Sequence, residues 1–235
     1  MRPESSEIEK EPIKRLLKWR YNMRKLRLIF GINPFKFIRW NFLSGNVKRD
    51  KGKYLITNWG TVIDISKSAI LTLHDHLFLN TPKYRHSREE AFLLLRDGAR
   101  LTINGSVKLA SRGTIQVQKD AKLAIGKAYV NHESSIIIGC DCTIGSGILI
   151  SRAVRIFDSD FHKVLDDDGN QTNNPEPMRI GDHVWIGLGA IILRGTQIGD
   201  GAVISAGSVV MGKVKAGTNA IGNPARSFSN IKWEE

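Results

Sequence analysis

The sequence has few cysteines and no long apolar run. Its two cysteines, Cys140 and Cys142, are separated by one residue, a spacing poorly suited to a disulfide bond, and no second pair completes a zinc-binding pattern. We therefore expect reduced, structural thiols. No stretch approaches the roughly 20 apolar residues that a membrane-spanning helix needs. The opening residues also lack the apolar core of a secretory signal, so we expect a cytoplasmic protein.

The main part of the chain has little net charge. The formal charge of the whole chain is +12, but residues 1–53 hold 15 Lys and Arg against 5 Asp and Glu, a net of +10. Residues 54–235 are therefore close to neutral. No nucleic-acid-binding motif accompanies the basic segment, so we predict no nucleic-acid partner.

The basic segment has the pattern of an amphipathic helix, which Gly31 and Asn33-Pro34 end. The apolar residues at steps of three and four are Leu16, Trp19, Met23, Leu26 and Phe30. We predict a basic helical appendage over residues 1–53. Two roles remain open for it: peripheral contact of residues 13–43 with the inner face of an anionic membrane, or packing against the protein's own oligomer.

Apolar residues recur every six positions in the carboxyl-terminal half, a period that neither an α-helix nor an alternating strand produces. Mostly small residues lie two positions earlier, and glycines lie three positions later, where a tight turn needs positive φ. The three columns are Ile180, Ile186, Ile192, Ile198, Ile204 and Val210; Val184, Ala190, Thr196, Ala202 and Ser208; and Gly189, Gly195, Gly201 and Gly207. The pattern predicts an all-β solenoid of short strands, three to a coil, over residues 54–226, with a tail over 227–235.

Over roughly residues 123–226, the segments "IGCDCTIGSGILI" and "IGDHVWIGLGAIILRGTQIGDGAVISAGSVVMGKV" resemble the hexapeptide-repeat acyltransferases. Within that family, the match is to the sugar O-acetyltransferases, the group that includes the galactoside and maltose acetyltransferases. The resemblance implies a left-handed parallel β-helix, a homotrimer, and acetyl-coenzyme A (acetyl-CoA) as cosubstrate.

The repeat is interrupted by a polar segment, residues 157–179, whose Asp-Gly and Asn-Asn-Pro breakers are typical of a loop. A long loop on a regular scaffold favours a functional role. It contains His162, and an imidazole can take a hydroxyl proton near pH 7. The flanking Ser-Asp-Phe-His resembles the catalytic segment of the sugar O-acetyltransferases. That resemblance implies that His162 is the general base, with Asp160 at the substrate.

Two further segments carry candidate substrate-binding residues. The sequence "YVNHES" resembles the family's asparagine-containing turn, which implies that Asn131 helps to hold the acceptor or the tetrahedral intermediate. Glu133 is a rival for that role, and Asn131 could instead serve a turn of positive φ. Trp185 precedes an inward isoleucine, so its ring should point outward and need a neighbouring subunit or a ligand to cover it. The "VWIG" match implies that Trp185 lies beside the active site at a subunit interface.

Coenzyme A has a thin amide-bearing arm and an anionic nucleotide end, so its site needs open backbone followed by basic side chains. Gly189, Ala206 and Gly207 are small enough to admit the arm. Lys213 and Lys215 could meet the phosphates. Arg226, in "GNPAR", matches the family's ending.

These observations favour direct acetyl transfer from acetyl-CoA to a sugar hydroxyl, in capsule, lipopolysaccharide or exopolysaccharide biosynthesis. The alternatives are N-acetylation of an amino-sugar nucleotide, a non-catalytic β-helix scaffold, and a metal-dependent β-helix protein. The last needs three convergent histidines, which the spacing of His132, His162 and His183 does not match. His74 and His76 have no evident third ligand. We predict no metal site.

Overall fold

The computed structural model describes residues 31–83 and 86–234. The predicted apolar stripe from Leu16 to Phe30 lies outside the described residues. The described chain is mostly β-structure in three sheets, and all strands run parallel except the last. The prediction of parallel β-structure with little helix is therefore confirmed.

The strands are numbered β1 to β24 along the chain. Sheet 1 contains β1 (Val47–Arg49), β4 (Ile70–Leu73), β7 (Arg100–Ile103), β10 (Lys122–Ile125), β13 (Asp141–Ile144), β16 (Met178–Ile180), β19 (Gln197–Ile198) and β22 (Lys213–Val214). Sheet 2 contains β2 (Leu55–Thr57), β5 (Leu77–Leu79), β8 (Val107–Leu109), β11 (Ala128–Val130), β14 (Ile148–Ile150), β17 (Trp185–Ile186), β20 (Val203–Ile204), β23 (Thr218–Gly222) and β24 (Ala225–Asn230). Sheet 3 contains β3 (Thr61–Ile65), β6 (Ala91–Leu95), β9 (Thr114–Val117), β12 (Ser135–Ile138), β15 (Arg155–Phe157), β18 (Ile191–Ile192) and β21 (Val209–Val210).

The chain visits the three sheets in turn, so that each strand pairs with the strand three places later. Leu149 of β14 pairs with Trp185 of β17, which pairs with Val203 of β20. Positions 185 and 203 differ by three units of six residues. The predicted six-residue unit is therefore one strand and one turn, and three units close a coil.

The two inward columns of the repeat form the core. Every predicted member of the apolar and small columns is buried. The glycines that follow occupy the left-handed backbone region, with φ of +66° at Gly189 and +69° at Gly207. A side chain at these turns would be strained, so glycine is what lets the chain turn after two-residue strands.

A short helical cap covers the amino-terminal end of the solenoid. It consists of α1 (Pro34–Ile38) and a π-helical turn (Arg39–Leu43). The Asn41 side chain accepts a hydrogen bond from the Leu55 N–H and donates one to the Leu55 carbonyl, both 2.8 Å long. It thus takes the place of a neighbouring strand for β2. Strand β1 already pairs with β4, so solenoid pairing begins inside the segment that the basic pattern predicts to be an appendage.

The carboxyl-terminal end is closed differently. Strand β24 turns back and pairs antiparallel with β23, and the tail then continues past Trp233. Across residues 31–83 and 86–234, no helix is both long and apolar enough to cross a membrane.

Candidate active site

The loop that carries His162 lies between β15 and β16, and corresponds to the predicted insertion. β15 belongs to sheet 3 and β16 to sheet 1, so the loop projects from the edge where these sheets meet, called here the 3–1 edge. Gly139 and Arg194 belong to the turns of the adjacent coils at this same edge.

A buried asparagine holds the loop together. The Asn173 side-chain amide donates to the carbonyl of His162 (2.7 Å) and to Asp160 Oδ2 (3.0 Å). Its Oδ1 accepts from the Val164 N–H at 2.7 Å. Because Asn173 is only 6% exposed, these bonds are sheltered from water, and they hold the backbone of His162 and Val164 together with the side chain of Asp160.

Arg194 ties the loop to the next coil. Its Nε lies 3.2 Å from Asp160 Oδ2, and its Nη1 lies 2.7 Å from Glu176 Oε1 and 3.3 Å from the Asn174 carbonyl. One guanidinium therefore contacts the beginning and the end of the loop. The predicted substrate residue Asp160 is engaged by Arg194 and Asn173 in this structure.

The His162 side chain is exposed. It lines a cavity of about 260 Å³ together with Ser159, Phe161, Lys163, Gln171, Asn173 and Pro175. The ring of Phe161 packs edge-on against Phe157, with centroids 6.4 Å apart. An imidazole placed this way is open to a hydroxyl group that enters from solvent.

Asp158 forms the root of the loop. Its side chain is fully buried and accepts hydrogen bonds from the backbone N–H groups of Gly139 (2.5 Å) and Cys140 (3.0 Å). Burial raises the pKa of the Asp158 carboxyl, and the two N–H donors oppose part of that rise. Asp158 thus joins the loop to the turn of the preceding coil.

The turns between sheets 2 and 3, called the 2–3 edge, bring a second group of predicted residues together. Asn131 and Glu133 lie in the turn after β11, Gly189 in the turn after β17, and Ala206 with Gly207 in the turn after β20. No neighbouring atom lies within 4 Å of a Cβ placed on Gly189 or Gly207. The backbone at these two turns is therefore open to a ligand.

The Asn131 turn is more occupied than the sequence indicates. Asn131 Oδ1 accepts from the backbone N–H of His132 (2.8 Å) and lies 2.7 Å from its Nδ1. The positive φ of this turn falls on Glu133, at +66°, and not on Asn131. The Glu133 carboxylate pairs with Arg112 at 3.0 Å. Burial, followed by the positive charge of Arg152, lowers the pKa of His132, which favours a neutral ring beside Asn131.

Trp185 points outward from sheet 2, as predicted. The carboxyl-terminal tail of the same chain partly covers the outer face of the sheet beside it. Trp185 Nε1 donates to Ser151 Oγ at 3.1 Å, which brings the indole to the 2–3 edge. The ring of Trp233 lies 6.1 Å from that of Trp185 and stacks on His183 at 4.1 Å. Trp185 remains 38% exposed, so room is left beside it for a ligand or a second chain.

The predicted phosphate-binding residues lie elsewhere on the molecule. Lys213 and Lys215 line a groove of about 490 Å³ on sheet 1, together with Arg179. Arg226 is exposed on β24, opposite Ile221. A single chain therefore does not bring Lys213 to the open glycine turns. No group of three or more His, Cys, Asp or Glu in the described part of the chain is arranged to hold a metal ion.

Sequence reasoning missed Asn173, Arg194, Asp158 and Trp233. Asn173 and Asp158 stand among many polar loop residues, and nothing in their neighbours marks them as buried. Arg194 lies two positions after the end of β18, so it adjoins the loop one coil away. That adjacency could have been read from the six-residue repeat.

Comparison with known proteins finds relatives that are named as acetyltransferases. The family described as hexapeptide repeat of succinyl-transferase matches residues 177–211. The chain is 40% identical to nodulation protein L of Rhizobium meliloti over 60% of this chain and 75% of that protein. It is 33% identical to galactoside O-acetyltransferase of Escherichia coli over 44% of this chain and 51% of that protein.

Among solved structures, the polySia-specific acetyltransferase NeuO is 21% identical, with a TM-score of 0.46 over 82% of this chain and 90% of that chain. The chain spans about half the length of several curated relatives that it matches. The match to nodulation protein L covers 75% of that relative, and the family match at residues 177–211 lies within the six-residue repeat. The chain belongs to the hexapeptide-repeat acetyltransferase family.

Proposed function

We propose that this protein transfers an acetyl group from acetyl-CoA to a sugar hydroxyl in surface polysaccharide biosynthesis, with His162 as the general base. The carrying observation is the placement of His162: its backbone is held by buried Asn173, while its imidazole is exposed beside a cavity. A fixed backbone with an open side chain is what a general base requires. The relatives named for O-acetylation support the choice of reaction.

The transfer needs one proton acceptor and one site for developing negative charge. The acceptor oxygen forms a bond to the acetyl carbonyl carbon, the thioester C–S bond breaks, and coenzyme A leaves as the thiol. His162 takes the hydroxyl proton and returns it to the departing sulfur. Backbone amides stabilise the oxyanion of the intermediate. Asn131 and Trp185 hold the acceptor beside them.

We further propose that the chain is a left-handed β-helix that forms a homotrimer, and that the site is shared between two chains of this trimer. His162 lies at the 3–1 edge, whereas Asn131, Trp185 and the open glycine turns lie at the 2–3 edge, so sheet 3 separates the two groups within one chain. A second copy can bring its 3–1 edge against this 2–3 edge. Lys213, on sheet 1 beside that 3–1 edge, then reaches the donor's phosphates from the same neighbour, while Arg226 reaches them from its own chain.

Thiol release from acetyl-CoA across a panel of acceptors tests the reaction class. Neutral sugars, acidic glycans and amino-sugar nucleotides are compared at equal concentration, and the product is identified by mass and by alkaline lability, which distinguishes an ester from an amide. We expect an ester. Exclusive amide formation on an amino sugar would replace this proposal with N-acetylation. Failure to bind coenzyme A at all would indicate a non-catalytic scaffold.

The His162→Ala variant tests the base. Loss of a positioned general base typically lowers the rate by about 10²–10⁴-fold, whereas an exposed loop side chain contributes little to stability. We expect the variant to fold, to bind acetyl-CoA normally and to lose turnover on that scale. His74→Ala is the matched control, because His74 is an exposed histidine that pairs with Asp50 in another coil. Normal turnover of His162→Ala with a confirmed acceptor would rule out His162 as the base.

A further inference from the structure

We propose that Arg194 is a positioning residue that holds His162 in its productive place through Asp160 and Asn173. The proposal rests on the role assigned above to His162. Arg194 follows the strand β18 in the coil after the loop, and the solenoid core fixes that turn through buried Ile192 and Thr196. The guanidinium therefore starts from a rigid part of the molecule.

The contacts of Arg194 bracket the loop. Its Nε and Nη1 engage Asp160 and Glu176, which lie 16 positions apart in the sequence on the two limbs of the loop. The Arg194 side chain is 26% exposed, less than the carboxylate of Asp160 (46%) or Glu176 (57%). A planar guanidinium can hold two acceptors at once, which a lysine ammonium on a flexible stem does less well.

Asp160 and Asn173 connect Arg194 to His162. The same Oδ2 atom that meets Arg194 also accepts from Asn173 Nδ2, and Asn173 in turn donates to the carbonyl of His162. The chain of contacts from the rigid turn to His162 is therefore continuous: Arg194, Asp160, Asn173, His162. Each of these distances is 3.2 Å or less.

The backbone between Asp160 and His162 is one that needs such support. Phe161 has a φ of +59°, in the left-handed region that a bulky side chain rarely adopts without external restraint. Without Arg194, the partner that Asp160 keeps among the described residues is the neutral Asn173, and this turn can relax toward ordinary φ values. His162 would then spend less time in the attacking geometry, and a displacement of about 1 Å can cost about 10²-fold in rate.

The proposal predicts that loss of Arg194 affects kcat much more than KM. We expect Arg194→Ala to lower kcat by about 10- to 100-fold, with the KM for acetyl-CoA within about twofold of the native value. Arg194→Lys should recover part of the loss, because lysine keeps the positive charge but lacks the planar guanidinium that contacts both carboxylates. Combining Arg194→Ala with Asp160→Ala should cost little more than either change alone, since both act along one path.

Amide hydrogen exchange gives a readout that needs no acceptor. In Arg194→Ala, protection at residues 160–164 should fall at least tenfold, while protection of the buried strands β17 and β20 should stay unchanged. Arg96→Ala is the matched control, because Arg96 forms a comparable pair with Asp64 at 2.7 Å in a distant coil. Arg96→Ala should change neither kcat nor loop protection.

Native kcat together with native exchange at 160–164 in Arg194→Ala would overturn the positioning role. A fall in β17 and β20 protection equal to that of the loop would also overturn it, since Arg194 would then act on the fold as a whole. His162→Ala separates this failure from that of the proposed function. If His162→Ala is inactive and Arg194→Ala is normal, only the present inference fails; if His162→Ala is fully active, the assignment of the base fails.

Discussion

Asp158 and Asp160 show that burial decides the role of an aspartate in this loop. Its carboxyl is buried against two backbone N–H donors, whereas Asp160, two residues later, is half exposed and paired with Arg194. The two aspartates stand in the same short motif, Asp-Ser-Asp-Phe-His. The sequence identified only Asp160, because the change from strand to loop at residue 158 depends on where the coil closes.

A pH series on Asp158→Asn tests the cost of burying this carboxyl. Because burial raises its pKa above the ordinary value of 3.8, the folded state binds the proton more tightly than the unfolded state. Relative to the variant, the native protein should therefore lose stability as pH rises from about 3.8 through the raised value, and the full cost should persist above it. Denaturant unfolding of both proteins across this range measures the difference.

Asp167→Asn, at an exposed loop position, is the control for any general effect of removing one carboxylate from the loop. A constant difference in unfolding free energy between the native protein and Asp158→Asn, at every pH, would contradict the raised pKa of Asp158. The lost acceptor for one of the two N–H groups would by itself produce only such a constant offset.

At the scale of elements, each two-residue strand is stable only because the coils above and below pair with it. Ile192 of β18 pairs with Ile156 of β15 and with Val210 of β21, and all three side chains are buried. Ile192→Ala would leave a cavity inside this stack. We expect a loss of about 2–5 kcal/mol in unfolding free energy by urea denaturation.

The neighbouring residue offers a matched comparison for that measurement. Ile191 has the same side chain and belongs to the same strand, but it points away from the core and is half exposed. Ile191→Ala should cost about 1 kcal/mol or less. Equal costs at the two positions would contradict the alternation that defines the coil.

The elements differ in how far their positions follow from the sequence. From residue 184 onward, glycines of positive φ in the turns and isoleucine or valine in the apolar inward column predict the strands within a residue or two. Earlier coils are longer: Leu101 pairs with Leu123, and Leu123 with Cys142. Their turns use non-glycine residues such as Arg112 and Asp120 at positive φ, so the period is blurred. The internal bonds of the loop have no periodic signal at all, which is why Asn173 could not be predicted.

At the scale of the whole molecule, sheet 3 separates His162 from Trp185, so the proposed shared site predicts that activity requires assembly. We expect purified protein to scatter light as a particle of three times 26.3 kDa. A stable monomer that retains full turnover would exclude both the trimer and a shared site. A monomer without turnover would exclude the trimer under these conditions, but it would agree with a site that one chain cannot complete.

Mixed trimers give a sharper version of that prediction. His162→Ala and Trp185→Ala chains should each be impaired alone. Refolded together, they should regain up to about a quarter of native activity, because random mixing places an intact loop beside an intact 2–3 edge at that frequency. If both residues serve from the same chain, mixing should restore nothing.

The Asn41 contact with Leu55 also affects whether further strands can add to the amino-terminal end of the solenoid. A stack of coils with equal spacing resembles the core of a fibril, in which each layer is a template for the next. At the amino-terminal end, the amide of Asn41 occupies the N–H and carbonyl of Leu55, and the Asn33 N–H bonds to the Thr57 carbonyl. The first layer of sheet 2 is therefore already satisfied by side chain and loop, which is a known protection for exposed strand edges. Asn41 and Asn33 thereby occupy backbone groups through which a further strand would add to sheet 2 at this end.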